Sequence, residues 1–451
     1  MPTVGLSMIV RNGGEDLRHC LASARSLADQ IVIGDTGSTD ETRAIAREFG
    51  AAVVDIPWNQ HYAEARNVCL KYVATDWVLV LDADEELSQE AAAEIPKLLD
   101  CSEPVGGFVL QQRNYLKGRF YHSVGKLSRG FHGEHPRAVV LGAQSYIDNP
   151  LCRLFRRRPE ICFQGRIHEI VESSFPAANV SLTHTKLLIH HFGHLAAQES
   201  IREKQVSYRA LLQRTLEESP NDARLWVQLG LTERVHFKEN DKALEAYRKA
   251  AALKFPRSDA WIGIAEILLG KGEKQAAMEA LSHLADTGDD GILKKELTAD
   301  AMHDLGKLKE ARSLYDAALK MARASHSYRA TGRDAQIESK MGYTEVRLGM
   351  HRAGIGKMRR AIEAWPGLPD QHDRLVKALV LQGREEEAAD AAEAVLDYFT
   401  GEKLITRAVA LNLRVQRVDR AECILEKGLR HFPESAALLN MRQEIYSCRV
   451  I

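Results

Sequence analysis

The stretch "DWVLVLDADEELS", residues 76–88, places four carboxylates directly after an apolar run. Residues 77–81 are typical of a strand that enters a core, because bulky apolar side chains follow one another without a charge. Asp82, Asp84, Glu85 and Glu86 come where such a strand would end. What these acids bind depends on the elements around them.

Short β-prone runs alternate with helical segments up to about residue 195. We predict strands at residues 4–10, 30–35, 51–56 and 77–82, and a helix at 15–27. This alternation predicts βαβ units with a largely parallel sheet. Ligands of such sheets bind at the carboxyl ends of the strands, where Asp35 and Asp82 fall.

From about residue 222 the pattern becomes helical and repeats. Ala243, Ala277 and Ala311 are 34 positions apart, as are Gly354 and Ala388, whereas 43 positions separate residues 311 and 354. A 34-residue period is typical of tetratricopeptide repeats, and "WVQLGL" at 226–231 fits their first helix. The alternative is a helical bundle with a chance period. We predict an α/β domain at 1–195, a connecting helix at 196–221 and an all-α repeat solenoid at 222–451.

The bulk composition is that of a globular protein. The 451 residues are 45% hydrophobic with a net charge of −1, so nothing indicates nucleic acid or an anionic membrane as a partner. No apolar run approaches the roughly 20 residues of a membrane span, and the N-terminus lacks a leader pattern. Seven cysteines without a CxxC pair favour reduced thiols, and we expect a cytoplasmic protein.

The acids of residues 82–86 suit a divalent cation. Residues two apart on an extended segment face the same side, so Asp82 and Asp84 are expected to converge. Hard oxygen ligands favour Mg²⁺ or Mn²⁺, which keep positions open for phosphates. The alternative is a helix N-cap with acids in its first turn, above all for Glu85 and Glu86.

Four segments in close order resemble family-two glycosyltransferases of the GT-A (Rossmann-like) fold: "SMIVRNGGEDL", "QIVIGDTGSTDET", "HYAEARN" and "DWVLVLDADEELS". The resemblance covers about residues 4–90 and resumes at "LCRLFRR", "FQGRIHEIV" and "LLIHHFGH", which are similar to acceptor-side motifs of bacterial members. Some of those members carry tetratricopeptide repeats after the catalytic domain. One departure is that Gly13 and Gly14, not an acid, follow Asn12. The resemblance implies transfer of a sugar from a nucleotide sugar with inversion.

The resemblance also implies a donor site. It assigns Asp35 to the N3–H of a uracil base and Arg66 to the donor diphosphate, where a guanidinium fork is useful. Asp82 is expected by the ribose or the donor sugar, and Arg11 is grouped with these donor-binding residues. An Asx turn at Asp35 and a surface role for Arg66 remain open alternatives.

The metal and the catalytic base follow from the same comparison. Asp84 is the expected direct metal ligand, and His191 in "LLIHHFGH" a second one, although a lone histidine there also suits a core. Inversion needs a base for the acceptor proton, and Glu169 in "GRIHEIV" is the candidate. His168 would orient Glu169 or touch the donor. The alternative pairs Glu169 with Arg166 on the surface.

Residues 111–166 carry eleven Lys and Arg against three acids. This segment lies between the acidic motif and the candidate base. We therefore expect Arg153 and Arg156, together with His168 next to the base, to contact the acceptor or other anions. The equally weighted alternative is a solvated face paired with acidic repeats.

The resemblance therefore implies a metal-dependent, inverting hexosyltransferase. Its donor would be a UDP-linked sugar and its acceptor a peptide, protein or saccharide, with repeats that bind a protein or self-associate. One alternative is a scaffold protein whose transferase domain is inactive. Another is a nucleotidyltransferase, for whose glycine-rich phosphate loop "SMIVRNGGED" is a poor match.

Overall fold

The computed structural model describes residues 2–101, 104–116, 135–143, 145–196, 198–253, 258–330, 332–399 and 401–449. The chain divides into two compact units, Met1–Leu253 and Lys254–Ile451. The first unit contains the α/β region and the three helices after it. The domain limits drawn from the sequence stay predictions.

Up to residue 80, the first unit alternates strands and helices in the order that the sequence predicts. The strands are β1 Val4–Val10, β2 Gln30–Asp35, β3 Ala52–Asp55, β4 Trp77–Val80, β5 Glu85–Leu87, β6 Val105–Leu116, β7 Ser145–Arg156 and β8 Ser181–His191. The helices are α1 Gly14–Ala24, α2 Thr42–Glu48, α3 Tyr62–Leu70, α4 Gln89–Leu98, α5 Pro136–Val140, α6 Gln198–Glu218, α7 Ala223–Thr232 and α8 Asn240–Ala252. A π-helical segment, Glu233–Phe237, joins α7 to α8.

The strands of the described residues form one sheet in the order β3-β2-β1-β4-β7-β6-β8-β5. The half from β3 to β4 is parallel, which confirms the α/β prediction. Beyond β4 the sheet is mixed, because β7 runs antiparallel to β4 and β6, and β5 runs antiparallel to β8. This second half brings β7 and β8 to the acidic stretch that follows β4.

The apolar run of β4 is continuous because both faces of the sheet are covered. Leu79 and Leu81 pack into a core shared with α1 and α4, whereas Val78 and Val80 face a second core with α3 and residues 161–175. Alternate side chains of a strand point to opposite faces, so every residue of the run is buried. The strand is thereby fixed as the centre of the sheet.

The second unit consists of helices. They are α9 Asp259–Gly270, α10 Lys274–Ser282, α11 Gly288–Asp304, α12 Leu308–Ala324, α13 His326–Ala330, α14 Arg333–Arg347, α15 His351–Ala364, α16 Pro369–Leu381, α17 Glu385–Ala394, α18 Glu402–Arg414, α19 Val418–His431 and α20 Ala436–Arg449. Successive helices pack in pairs, from α9 with α10 to α18 with α19. The short α13 accounts for the longer interval in the sequence period.

The period has a backbone cause. Gly272, Gly306, Gly349 and Gly383 have φ of 79°, 76°, 85° and 66°, and each lies between the two helices of a pair. Glycine adopts this left-handed conformation without steric cost and so ends the first helix. Gln416, with φ of 59°, occupies the same position in the last pair. A glycine pattern alone therefore misses it.

Within the described residues, the structure has no helix that is both long and apolar enough to cross a membrane. Cys20, Cys69, Cys101, Cys152, Cys162 and Cys423 are free thiols. The cytoplasmic location stays a prediction.

Candidate active site

The carboxyl ends of β1, β2 and β4 lie side by side at one edge of the sheet. Val10 is level with Asp35 across the parallel β1–β2 pair, and β4 adjoins β1 on its other side. Arg11, directly after β1, is exposed to solvent. Asp82 follows β4 at the same edge, so the fold gathers these predicted residues where α/β sheets bind ligands.

Asp35 is enclosed. It is 2% exposed, and its Oδ1 accepts a hydrogen bond of 3.0 Å from the backbone N–H of Ser38. Its Oδ2 lies 3.3 Å from Nη1 of Arg43, whose Nη2 contacts Oδ1 of Asp55 at 2.7 Å. Oδ2 makes an ion pair without an aligned hydrogen bond. The Asx turn that was the alternative for Asp35 thus uses Oδ1, and Arg43 contacts Oδ2.

The departure at Gly13 and Gly14 forms an ordered loop. Asn12 has φ of 54° and Gly14 φ of 45°. The side chain of Asn12 accepts from the backbone N–H of Thr39 at 2.8 Å, and the N–H of Gly13 donates to Oγ1 of Thr42 at 2.8 Å. These bonds join the loop after β1 to the loop after β2 and to the first residue of α2.

Asp82 lies between two arginines. Its Oδ1 accepts from Nη2 of Arg66 at 2.7 Å, and its Oδ2 accepts from Nη2 of Arg153 at 3.0 Å. Loss of water contacts opposes ionisation of Asp82, but the charges of Arg153 and Arg66 outweigh it and hold its pKa well below the usual range. Arg66 is 6% exposed, so its predicted alternative as a surface residue is wrong.

Glu85 is a buried member of the same cluster. It is 0% exposed, its Oε1 accepts from Arg153 at 2.8 Å and from the amide of Gln112, and its Oε2 accepts from the backbone N–H of Asp82 at 2.8 Å. Burial raises the pKa of Glu85. The N-cap alternative is wrong for this residue, because Ser88 caps α4 by accepting from the N–H of Ala91. We call Arg66, Asp82, Glu85 and Arg153 the acid–arginine network.

Asp84 has a different partner. The chain turns at residues 83–84 instead of continuing extended, so the expected convergence of Asp82 and Asp84 is replaced by two separate contacts. Oδ2 of Asp84 lies 3.5 Å from Nε2 of His191. Burial opposes protonation of His191, but the hydrogen bond and charge of Asp84 raise its pKa. In return the histidine lowers the pKa of Asp84 against the effect of burial.

The strand register fixes this pair. Glu85 of β5 lies level with His191 of β8, and Asn114 of β6 lies level with His191 from the other side. Nδ1 of His191 hydrogen-bonds Oδ1 of Asn114 at 2.6 Å. Because an amide oxygen only accepts, Nδ1 carries the proton and Nε2 is left facing Asp84.

A divalent cation fits the Asp84–His191 pair. A carboxylate oxygen and an imidazole nitrogen are donors that Mn²⁺ accepts, and their separation of 3.5 Å allows one ion to contact both at bond lengths of about 2.1 Å. A Cβ on Gly193 would lie 2.4 Å from Oδ2 of Asp84 and 2.7 Å from Nε2 of His191. Glycine thus keeps the space beside both donors open. Among the described residues, no group of three or more His, Cys, Asp and Glu is arranged as a metal site.

The neighbouring histidines differ from His191. His190 is 8% exposed and its Nδ1 hydrogen-bonds the hydroxyl of Tyr115 at 2.8 Å, while burial lowers its pKa to about 4. It is a satisfied core histidine. The ring centre of His194 lies 5.4 Å from that of His191.

Glu169 reaches the network through Arg66. Its Oε1 accepts from Nε of Arg66 at 2.6 Å, so one guanidinium joins Glu169 to Asp82. The alternative pairing with Arg166 is wrong, because Arg166 contacts Glu218 at 2.7 Å. The loop is closed by a bridge between Gln164 and Ile170, with backbone hydrogen bonds of 2.9 and 3.1 Å.

The structure separates the predicted anion contacts. Arg153 belongs to the network, and His168 lies beside Glu169 in the chain but bonds Tyr208. Arg156 lies at the amino end of β4, level with Trp77, and donates to the carbonyl oxygens of Val105 and Cys101 at 2.8 and 2.6 Å. The structure does not bring Arg156 to the other predicted site residues.

The basic segment of residues 111–166 is described only in part, and four of its described arginines pair with acids of the first unit. Among its described members, Arg113 pairs with Asp148, Arg137 with Glu86 and Asp16, and Arg166 with Glu218. Lys117, Arg119, Lys126 and Arg129 lie outside the described residues. For the other basic residues of the segment, pairing with acidic repeats stays a prediction.

Sequence reasoning missed four residues of this site: Glu85, Gln112, Asn114 and Gly193. Glu85 stood in the quoted acidic stretch, and Gly193 in "LLIHHFGH", where a glycine after histidines was the available signal. Gln112 and Asn114 alternate along β6, and only the strand register relates them to residues 85 and 191.

The model of glycosyl transferase family 2 matches residues 6–161, and a tetratricopeptide repeat model matches residues 238–291. A TPR repeat-containing protein of Synechococcus elongatus is 34% identical over 236 residues, which are 51% of this chain and 52% of that protein. An uncharacterized glycosyltransferase of Rickettsia felis is 34% identical over 98 residues, covering 21% of this chain and 33% of the relative.

The SPbeta prophage-derived glycosyltransferase SunS of Bacillus subtilis is 22% identical over 208 residues, which are 45% of this chain and 42% of that protein. The chain thus spans about half, or less, of the length of these relatives. Together with the sheet and the helical pairs, the matches identify a family 2 glycosyltransferase domain of the GT-A fold followed by tetratricopeptide repeats.

Proposed function

We propose that this protein is a metal-dependent, inverting glycosyltransferase. It moves a sugar, a hexose by the family resemblance, from a UDP-linked donor to a hydroxyl or thiol of a peptide, protein or saccharide. One observation carries the proposal. The acid–arginine network and the Asp84–His191 pair lie next to each other at the carboxyl ends of the strands. Family membership alone would also suit an inactive domain, whereas this arrangement of charges supports chemistry.

The donor would lie along the edge formed by β1, β2 and β4. Asp35 would accept from the N3–H of uracil once Arg43, 3.3 Å away, gives up its contact with Oδ2. Arg11 is exposed beside this position and would approach the phosphates. Asp82, held by Arg66 and Arg153, presents a fixed carboxylate to the hydroxyls of the ribose or sugar.

The leaving group needs compensation for charge that develops on the diphosphate. A cation held by Asp84 and His191 would supply this compensation and orient the donor oxygens. Arg66 and Arg153 add two buried guanidinium groups whose positions are fixed by carboxylates. Preorganised charges in a water-poor site stabilise a transition state without reorganisation.

Glu169 would take the acceptor proton. Its Oε1 is held by Arg66, and within the described residues its Oε2 makes no hydrogen bond, so Oε2 is available. The acceptor oxygen or sulfur would attack the anomeric carbon as the bond to the diphosphate oxygen breaks. The proton passes to Glu169, the electron pair leaves with the nucleoside diphosphate, and the configuration of the sugar inverts.

The repeats would bind the acceptor protein or another copy of the chain. The second unit contains a polar cavity of about 510 Å³ lined by residues of α9, α11, α12, α14 and α16, among them Asp304, Asp370 and Arg374. A buried Nη1 of Arg374 has no hydrogen-bond partner among the described residues. Both features suit a polar, extended ligand.

Calorimetric binding of UDP and GDP, each with and without Mn²⁺, tests the proposal on the wild type, Asp84→Ala and the control Asp100→Ala. Asp100 is an exposed carboxylate at the end of α4. We expect Mn²⁺-dependent binding of UDP that Asp84→Ala loses and Asp100→Ala keeps. Absence of binding to either nucleotide by the folded wild type would favour the scaffold alternative. Release of pyrophosphate from UTP and a sugar 1-phosphate, without release of UDP from a UDP-sugar, would indicate a nucleotidyltransferase.

A further inference from the structure

Three consecutive residues beside Glu169 are bound by the helices that follow the sheet. Nη2 of Arg166 lies 2.7 Å from Oε2 of Glu218 at the end of α6. Nε2 of His168 hydrogen-bonds the hydroxyl of Tyr208 in α6, and the two rings meet edge to face with centres 5.3 Å apart. Ile167, between them, is 1% exposed and packs against leucines of α6 and α7: Leu211, Leu212, Leu216, Leu225 and Leu229.

Glu169, the next residue, turns the other way. Its carboxylate contacts Arg66 at 2.6 Å in the acid–arginine network. The reversal passes through His168, whose φ of 49° is in the left-handed region. That conformation is unfavourable for a residue with a Cβ, so contacts made by its side chain must hold it.

The bond between Tyr208 and His168 supplies such a contact. The hydroxyl of Tyr208 hydrogen-bonds the imidazole of His168, the residue at which the chain reverses. His168 directly precedes Glu169, the candidate base. A loop positions a catalytic group less accurately than a helix does, unless neighbouring side chains lock it. Here the lock comes from α6, which is outside the region matched by the glycosyltransferase model.

We propose that α6 positions the catalytic base, and that Tyr208, acting through His168, sets the direction of the Glu169 carboxylate. This proposal rests on the function proposed above. Tyr208 is a positioning residue and not a catalytic one, because it acts on Glu169 through the backbone of the loop. A displacement of the base by about 1 Å is enough to cost about 100-fold in rate.

The test compares Tyr208→Phe, which removes only the hydroxyl, with the control Tyr72→Phe. Tyr72 is an exposed tyrosine after α3, and its hydroxyl makes no hydrogen bond among the described residues. Three quantities are measured in the full chain: amide hydrogen exchange of residues 164–170, the Kd of UDP with Mn²⁺, and the kcat of UDP release from UDP-glucose or UDP-N-acetylglucosamine in water. For Tyr208→Phe we expect exchange and kcat to change by about 10-fold, with exchange faster and kcat lower, and the Kd of UDP to stay unchanged. Tyr72→Phe should match the wild type in all three.

A second variant, Glu218→Gln, weakens the anchor of Arg166 while leaving Tyr208 in place. It should shift exchange and kcat in the same direction by a smaller factor. Unchanged exchange in Tyr208→Phe, faster exchange with unchanged kcat, or a loss confined to UDP binding would each overturn the positioning role. A wild type that binds no nucleotide and releases no UDP would overturn the proposed function itself, and this is seen before any variant is compared.

Discussion

Replacing Gly193 by alanine would put a Cβ 2.4 Å from Oδ2 of Asp84 and 2.7 Å from Nε2 of His191. Both atoms are the far ends of side chains that can rotate away, and the φ of Gly193 is not in the left-handed region. We therefore expect Gly193→Ala to fold with little loss of stability. We expect the substitution to weaken the binding of a metal ion, because such an ion requires Asp84 and His191 to keep their positions.

The size of the effect follows from these distances. Ordinary contact begins at 3.4 Å, so the carboxylate oxygen would withdraw by about 1 Å and the imidazole nitrogen by about 0.7 Å. Metal–ligand bonds tolerate deviations of about 0.2 Å. The alanine therefore displaces at least one donor, and we expect Mn²⁺ affinity to fall by about 10- to 100-fold, the range seen when the support of a metal ligand is removed.

Titration calorimetry of Mn²⁺ in the presence of saturating UDP measures this affinity. The control is Gly270→Ala at the exposed end of α9, where a new Cβ meets nothing within 4 Å. This control should bind Mn²⁺ as the wild type does. If Gly193→Ala is folded and keeps wild-type affinity for Mn²⁺, then Asp84 and His191 do not hold the ion together, and the assignment of the metal site fails.

Two further predictions concern the base and the second unit. Glu169→Gln should lower kcat by about 100- to 10,000-fold while leaving the Kd of UDP within a few fold; equal losses in both would contradict its role as base. Lys340→Ala should destabilise the second unit by about 3 kcal/mol in urea unfolding, because Glu296, 3% exposed, loses its 2.7 Å ion pair. Burial alone would raise the pKa of Glu296, but Lys340 and Arg333 outweigh it and lower the pKa. This stabilisation is therefore present above the ordinary glutamate pKa and is lost as pH falls through the lowered value. The gap between Lys340→Ala and the wild type should narrow on acidification, and a constant gap would refute the argument.

The sequence predicts the parallel half of the sheet because local patterns determine it. The runs that become β1, β2 and β4 are apolar, and helical segments separate them, so parallel pairing and the strand-end positions of Asp35 and Asp82 follow from general rules. The repeats follow equally from the period of small residues. Ala277 and Ala311 are 0% exposed where paired helices meet.

The mixed half of the sheet was not predictable in this way. β7 enters next to β4 in the antiparallel direction, which sends Arg153 to Asp82 and Arg156 to the opposite end of the strand. Arg153 and Arg156 are three positions apart in sequence, yet they lie at opposite ends of β4. No local pattern states that direction, and the grouping of Arg156 with Arg153 followed from their closeness in the chain.

The packing of Ile167 limits where the transferase domain and the repeats could be separated. Its burial depends on leucines of α6 and α7, which follow the last strand of the sheet and precede most of the repeats. A fragment that ends at residue 195 would expose this isoleucine and release the loop that carries Glu169. An engineered exchange of the repeats would therefore have to begin beyond α8 to keep this packing, and not at residue 195 where the sequence pattern changes.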